Sequence, residues 1–439
     1  MSASLSQLLK LMRDHGADRI YAKKMSPNDN SKNQVYLGGG FGALNIIPHG
    51  EIITDTRPMA GSKQDRPKAR VNFFWLDTDG RHPAPDAQLI LYPDYPEVRM
   101  SGFLKGCKAA PSNLMTVRDP GRVLFFGITP QGDVLGFATG PDDSITAELN
   151  ATPWEMIGVF HELPTDLAQK TSTKVILLAE LRRIYDLHWI TSQKLARDGR
   201  KMPYSARNGG GYTLEAELGI TPNGYSEPDF MGWEVKQYGV GDFRKFLPKT
   251  PITLMTPEPT GGIYKIEGPA EFLRRYGYPD KSGKPDRYNF GGVYTCDKDY
   301  HADTGLRIAV DGYNPASGKI SDLNGGISLY NRQDEAAAVW SFTGMMQHWN
   351  RKHAQAAYVP SLFRTPPPEY AYGPRILLCE QTDFLLFLKA FTSGVVYYDP
   401  GIKIEKASSP KPKIKRRSQF RVKHSQITQM YHHSEIVEL

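Results

Sequence analysis

Asp229, Glu234 and Lys236 lie close together in the run Glu227-Pro228-Asp229-Phe230-Met231-Gly232-Trp233-Glu234-Val235-Lys236. Successive side chains of a strand alternate faces, so Glu234 and Lys236 point the same way while Trp233 and Val235 point into a core. Asp229 stands just ahead, where a turn or a preceding strand can return its carboxylate to Glu234. Two converging carboxylates beside an ammonium suit Mg²⁺-assisted attack on a phosphodiester. The carboxylate oxygens match a hard cation. Such a cation acidifies a bound water and stabilises charge on the phosphate, and a lysine can position that water or offset the developing charge. Taken alone, the D-x4-E-x-K spacing is also that of an exposed strand with an i, i+2 Glu–Lys pair.

The element upstream adds a third carboxylate. In Asn208-Gly209-Gly210-Gly211-Tyr212-Thr213-Leu214-Glu215-Ala216-Glu217-Leu218-Gly219-Ile220, Thr213 suits a helix start and Gly219 its end. Leu214 and Leu218 share one helical face. Glu215 borders that face, where an unpaired charge is costly, and a metal or the Lys236 ammonium would explain its place. Glu217 competes with it for any role. The triple glycine reads as a flexible lead-in rather than a phosphate cradle.

These blocks together resemble the MvaI/BcnI restriction endonuclease family, itself similar to MutH-type mismatch-repair nicking enzymes. The matching features are Gly-Gly-Tyr-Thr-Leu-Glu, Leu-Gly-Ile, Glu-Pro-Asp-Phe and Gly-Trp-Glu-Val-Lys. Tyr398-Asp399-Pro400-Gly401-Ile402-Lys403 and Lys415-Arg416-Arg417-Ser418-Gln419-Phe420-Arg421 near the C-terminus join them. The resemblance implies an α/β (α+β) PD-(D/E)xK nuclease domain with a mixed central sheet. It implies Asp229 and Glu234 as metal ligands, Lys236 as the catalytic lysine and Glu215 as an accessory carboxylate. Mg²⁺ is the implied cofactor, with Mn²⁺ as a substitute. Double-stranded DNA is the implied substrate, cut at a short CCNGG-type site to leave a 5′-phosphate and a 3′-hydroxyl, with a monomer compatible. Asp399 and Lys403 fall in the block resembling the family's recognition region. A MutH-like nicking enzyme is the alternative within this class. A non-catalytic DNA-binding protein is the alternative outside it, although such proteins usually lose an acidic ligand or the lysine.

The placement of charge agrees with a nucleic-acid partner. The net charge of +7 equals the seven basic residues between Lys411 and Lys423, a stretch with no acidic residue. Ile414, Phe420 and Val422 interleave with them, as in a strand with one buried side. Arg416, Arg417 and Arg421 would then reach phosphates or guanine edges, which the guanidinium fork matches. A solvated basic tail is the competing reading.

A chain of 439 residues is too long for one ordinary core. The cysteines, Cys107, Cys296 and Cys379, are scattered singly, which argues against a zinc ribbon or disulfide framework and fits a reducing cytoplasm. The first residues form a short amphipathic helix without a signal-peptide core, and no apolar run is long enough to span a membrane. Residues 1–160 read as short strands at 19–23, 34–37, 71–76, 88–92, 122–128 and 134–138, separated by turn clusters. Through Tyr21-Ala22-Lys23-Lys24-Met25-Ser26-Pro27-Asn28-Asp29 and Gln34-Val35, this portion resembles the EcoRII-type effector-DNA-binding domain, a mainly-β B3-like pseudobarrel. That likeness implies a type IIE enzyme engaging two copies of DNA. Lys23, Lys24, Asn28 and Lys32 would line one DNA-facing loop, with Arg99, Lys105 and Lys108 in another. A linker is expected at 161–174 and the nuclease domain at 175–439. Helices are expected at 175–197, 336–352 and 383–390, and strands at 252–254, 262–266 and 292–295.

Overall fold

The computed structural model describes residues 4–27, 33–53, 66–92, 95–165, 172–206, 208–221, 229–246, 248 and 250–439, with the side chain of Arg351 outside the description. Contacts divide the chain into two units. One comprises Met1–Leu247, Asn350–Thr382 and His433–Leu439; the other comprises Pro248–Trp349 and Asp383–His432.

The first unit contains the candidate catalytic strand, Trp233–Gly239. It pairs in parallel with Gln355–Arg364, with Trp233 opposite Gln355 and Lys236 opposite Tyr358. Gln355–Arg364 pairs antiparallel with Arg375–Glu380 and Glu369–Tyr372, and His433–Glu438 extends the sheet beyond Arg375–Glu380. The sheet is therefore mixed, as expected. Beneath it Leu177, Leu181 and Ile184 of the helix Thr173–Asp186 pack with Leu214, Trp233, Ala357, Ile376 and Leu378. Ser172 caps that helix by accepting the Val175 N–H.

Residues 4–165 of the same unit form two sheets. The larger runs in the order Met156–Ile157, Phe160–Leu163, Arg19–Lys24, Val123–Ile128, Val134–Thr139, Phe73–Asp77, Gly80–Pro83; the smaller joins Val35–Gly39, Glu97–Ser101, Gln88–Tyr92, Lys68–Arg70 and Ile52–Ile53. Helix Leu5–Asp14 lays Leu5, Leu8, Leu9 and Met12 onto the larger sheet, and a Ser4/Gln7 capping box starts it. Direct hydrogen bonds tie this region to the chain just beyond the strand Arg375–Glu380, from Asn45 Nδ2 to the Thr382 carbonyl (2.7 Å) and from Gln381 Nε2 to the Met156 carbonyl (3.2 Å).

The second unit is built from antiparallel strands around an aromatic cluster. The Trp340 ring lies 4.7 Å from Tyr398 and 5.5 Å from Phe420, centroid to centroid. The basic stretch contributes the strands Lys413–Lys415 and Phe420–Val422, with Phe420 and Val422 fully buried. Its alternation of charge and apolar residues thus reflects a strand with one face inward, as expected.

Several elements differ from expectation. The helix expected over 175–197 stops at Asp186, because His188 adopts a left-handed backbone (φ 56°) and the chain turns into strand. Gly262–Ile266 is helical rather than extended. Residues 336–341 form a strand, Ala336–Ser341, before the helix Phe342–His353; the run of alanines meant burial against a neighbouring strand, not helix propensity. The helix expected to begin at Thr213 begins at Gly209. A Cβ on Gly209 would stand 2.5 Å from Ser192 Oγ, and one on Gly210 2.9 Å from the Gln237 amide. The glycines permit close packing of helix on strand and are not a lead-in.

Leu378 is fully buried on the mixed sheet. Leu378→Ala is expected to destabilise the first unit by about 2–5 kcal/mol through the lost transfer energy and the cavity left behind. Urea unfolding followed by tryptophan fluorescence checks this.

Candidate functional site

The carboxylate of Asp229 reaches Glu234 through a tight reversal. Phe230 and Trp233 exchange both backbone hydrogen bonds (2.9 and 2.8 Å), and Met231 and Gly232 between them have φ of 47° and 90°. Positive φ at both central residues is the signature of a primed hairpin turn, and glycine takes the second position without strain. The chain folds back so far that Asp229 Oδ2 accepts the Val235 N–H at 3.1 Å. Glu227 and Pro228 lie outside the described residues.

Glu234 is 3 % exposed. Its Oε1 accepts the Lys236 ammonium at 2.7 Å and lies 3.8 Å from the Lys352 ammonium. Its Oε2 is buried with no hydrogen-bond partner among the described residues. A buried carboxylate oxygen without a partner is costly, and it is the observation that best fits an electrophile received from outside the chain. Asp229 and Glu234 form a two-carboxylate donor set suited to a hard divalent cation.

Charges in the site are mutually dependent. Burial and the neighbouring Glu234 push the Asp229 carboxyl up to about 7. Burial and Glu234 also raise Glu215. Burial works against ionisation of Glu234 too, but Lys236, Lys352 and His353 outweigh it and hold this carboxyl below its ordinary value. Burial likewise opposes the Lys236 charge, and Glu234, Asp229 and Glu215 overcome it.

The structure separates the two helix glutamates. Glu215 feels Glu234, Lys352 and Lys236. Glu217 accepts from Gln193 Nε2 (2.6 Å) and Lys201 Nζ (2.5 Å), with Arg183 3.6 Å away. Two residues along a helix turn a side chain to nearly the opposite face, so Glu215 alone faces the strand site.

Lys352 was not singled out in the sequence. No local motif marks it, and the neighbouring His348 and His353 draw attention first. The usable signal is topological. Gln355 stands opposite Trp233 in a parallel pair, so the residues preceding both strands arrive at one edge, and the helix ending at His353 delivers Lys352 there. A cation near a helix C-terminus is also favourably placed.

The remaining candidates are scattered. Lys23 lies on the strand Arg19–Lys24 rather than in a loop. It is 4 % exposed and donates to the Lys24 carbonyl (3.2 Å), and burial lowers its ammonium to about 8. Lys24 is exposed at the strand end. Asn28 and Lys32 lie outside the described residues. Arg99 pairs with Glu97 (2.7 Å) and covers the Tyr92 ring; Lys105 pairs with Asp86 (3.0 Å). In the second unit Arg421 pairs with Asp399 (2.6 Å) and donates to the Pro251 carbonyl (2.8 Å), while Lys403 pairs with Glu405 (2.8 Å). Arg416 and Arg417 are exposed, Arg416 only 3.8 Å from Glu258. A separate cluster, Glu380, His433 and Glu435, brings donor atoms within 4.8 Å of one another, but Lys174 already ion-pairs with both carboxylates.

Asp229 supplies a pH prediction. Its carboxyl is held near 7 in the folded protein against an ordinary 3.8. Between these values the folded state keeps a proton that the unfolded chain has lost, so the group's contribution to stability is lost as pH rises through about 7. In EDTA, Asp229→Asn is expected to raise Tm relative to wild type at about pH 8 and to leave it near wild type at about pH 4. Differential scanning fluorimetry checks this; an equal change at both pH values contradicts it.

Comparison with known proteins bears on the same residues. The model of the MvaI/BcnI restriction endonuclease family matches residues 178–431. Two solved structures are similar. The restriction endonuclease MvaI–cognate DNA substrate complex has 16% identity and TM-score 0.46, and MvaI in the absence of DNA has 15% identity and TM-score 0.34. Each match covers 61% of this chain and 98% of the other. No curated protein matches the chain by sequence.

Proposed function

The chain belongs to the MvaI/BcnI restriction endonuclease family, and we propose that it is a type II enzyme hydrolysing double-stranded DNA at a short CCNGG-type site with Mg²⁺, for which Mn²⁺ substitutes. The observation that carries this reading is the convergence of Asp229, Glu234 and Lys236 around a buried carboxylate oxygen with no partner among the described residues.

In this reading Asp229 and Glu234 hold the metal. When bound, the ion supplies Lewis acidity toward the phosphate and an acidified water. Glu234 tethers the Lys236 ammonium, which orients the attacking water and offsets charge developing on the phosphate. Asp229, whose carboxyl its surroundings push up to about 7, would hold the ion in its deprotonated form. Glu215 and Lys352 complete the charge balance on either side of Glu234.

The two sheets of residues 4–165 are assigned to a B3-like effector-DNA-binding pseudobarrel, with Lys24, Arg99 and Lys105 on its DNA side. That assignment makes the enzyme a type IIE nuclease engaging a second DNA copy. Domain limits of 1–160 and 175–439, joined by 161–174, belong to the same assignment. In the second unit the exposed guanidiniums of Arg416 and Arg417 are assigned to DNA. Arg421 and Asp399, locked to each other, position that surface. Among the described residues no helix is long and apolar enough to cross a membrane.

Lys236→Ala is expected to lower cleavage by a factor on the order of 10²–10⁴ while site-specific DNA binding persists. Sequencing the ends produced from unmethylated DNA of known sequence, with and without EDTA, reads both the chemistry and the site. Discrete cutting by the variant at the wild-type level contradicts the assignment. Arg416→Ala/Arg417→Ala is expected to weaken binding and reduce the slope of log K against log salt by about two units when both touch phosphates. Fluorescence anisotropy across a salt series measures it.

A further inference from the structure

The active-site turn rests on a residue far away in sequence. Arg19, on the strand Arg19–Lys24, is 14 % exposed at its side chain. Its stem passes directly beneath Gly232. A Cβ added at Gly232 would lie 3.2 Å from Arg19 Cδ and 3.7 Å from Arg19 Nη1. The head of the same side chain lies among groups of its own region. Its Nε lies 3.6 Å from Asp18 Oδ1, and its charge bears on Tyr21 and Glu162. Arg19, Asp18 and Glu162 share the wall of one cavity of about 540 Å³ with Met231 and Thr173, and Thr173 Oγ1 lies 3.3 Å from the indole nitrogen of Trp233. Both central residues of the turn and the residue that closes it thus meet the same patch.

We propose that Arg19 is a positioning residue for the metal-binding carboxylates. Met231 and Gly232 are the only residues between the paired Phe230 and Trp233. Any shift of this pair changes the reach of Asp229 relative to Glu234. The stem of Arg19 forms the floor that opposes such a shift, with its guanidinium facing Asp18 and Glu162. The β-sheet region of residues 4–165 is thereby part of the nuclease as a scaffold, whatever DNA it also binds. Groups that hydrogen-bond a metal ligand are worth about 10–100-fold in metal affinity, and Arg19, which acts on the ligands through the turn, is expected near the lower end of that range.

The inference rests on the nuclease reading, and the experiment separates the two. Mn²⁺ binding to the full-length protein is measured by isothermal titration calorimetry without DNA, beside Tm by scanning fluorimetry. Glu234→Gln is expected to abolish binding. Arg19→Ala is expected to weaken it about tenfold or more with Tm close to wild type, whereas Arg19→Met, which keeps the stem, retains affinity within about threefold. Should Arg19→Ala not fold, Arg19→Val takes its place, because it truncates the stem before Cδ and keeps a strand-favouring side chain. Wild-type affinity in the folded truncated variant overturns the inference and leaves the nuclease reading intact. Equal losses in Arg19→Met and Arg19→Ala overturn the stem contact. A wild-type protein that binds no Mn²⁺, or a Glu234→Gln protein that binds it equally, overturns the nuclease reading and this inference with it.

Discussion

Everything at the site depends on keeping Glu234 ionised where water hardly reaches it. Removing a carboxylate from water is expensive unless the charge is paired. Lys236 pairs with one oxygen and Lys352 stands farther off, while the second oxygen has no hydrogen-bond partner among the described residues. The same charge then acts on its neighbours: because Glu234 holds its negative charge, Asp229 and Glu215 keep their protons more readily. Three carboxylates and two ammonium groups share one place, and a divalent cation would relieve the strain that remains. Separated effects on nearby titratable groups are a common mark of catalytic sites.

Geometry of this kind requires a stiff support. A parallel pair of strands supplies one part, holding Glu234 and Lys236 against Ala356 and Tyr358 of the neighbouring strand. A two-residue turn supplies another, and its positive backbone angles explain why a glycine stands at position 232. A tightly packed glycine-rich helix start brings Glu215 to the remaining side. None of these parts is catalytic by itself, but each removes a freedom that would let like charges move apart.

The basic side chains away from the site follow a different logic. In the second unit Arg421 is already engaged by Asp399 and a backbone carbonyl, whereas Arg416 and Arg417 are exposed in the connection between the strands Lys413–Lys415 and Phe420–Val422. An arginine fixed in a protein hydrogen-bond network orients the surface; one left in solvent is available to a phosphate. Lys23 shows the limit of reading charge from composition, since its ammonium is folded back on its own backbone.

The sequence by itself determined which residues could form the site. The types and spacing of Asp229, Glu234 and Lys236, the nearby Glu215 and the concentration of charge at 411–423 were all legible, because strand alternation and local charge density are properties of short segments. The α+β class and most short strands of residues 4–165 were legible for the same reason. Tertiary structure decided what depends on distant pairing. It selected Glu215 over Glu217, turned the alanine-rich 336–341 into a strand and buried Lys23. It also brought Lys352 and Arg19 to a site to which no local pattern connects them. Side chains that meet across more than a hundred residues leave no periodic trace in the chain. Their encounter is fixed only when sheet register and the packing of helices onto it are established.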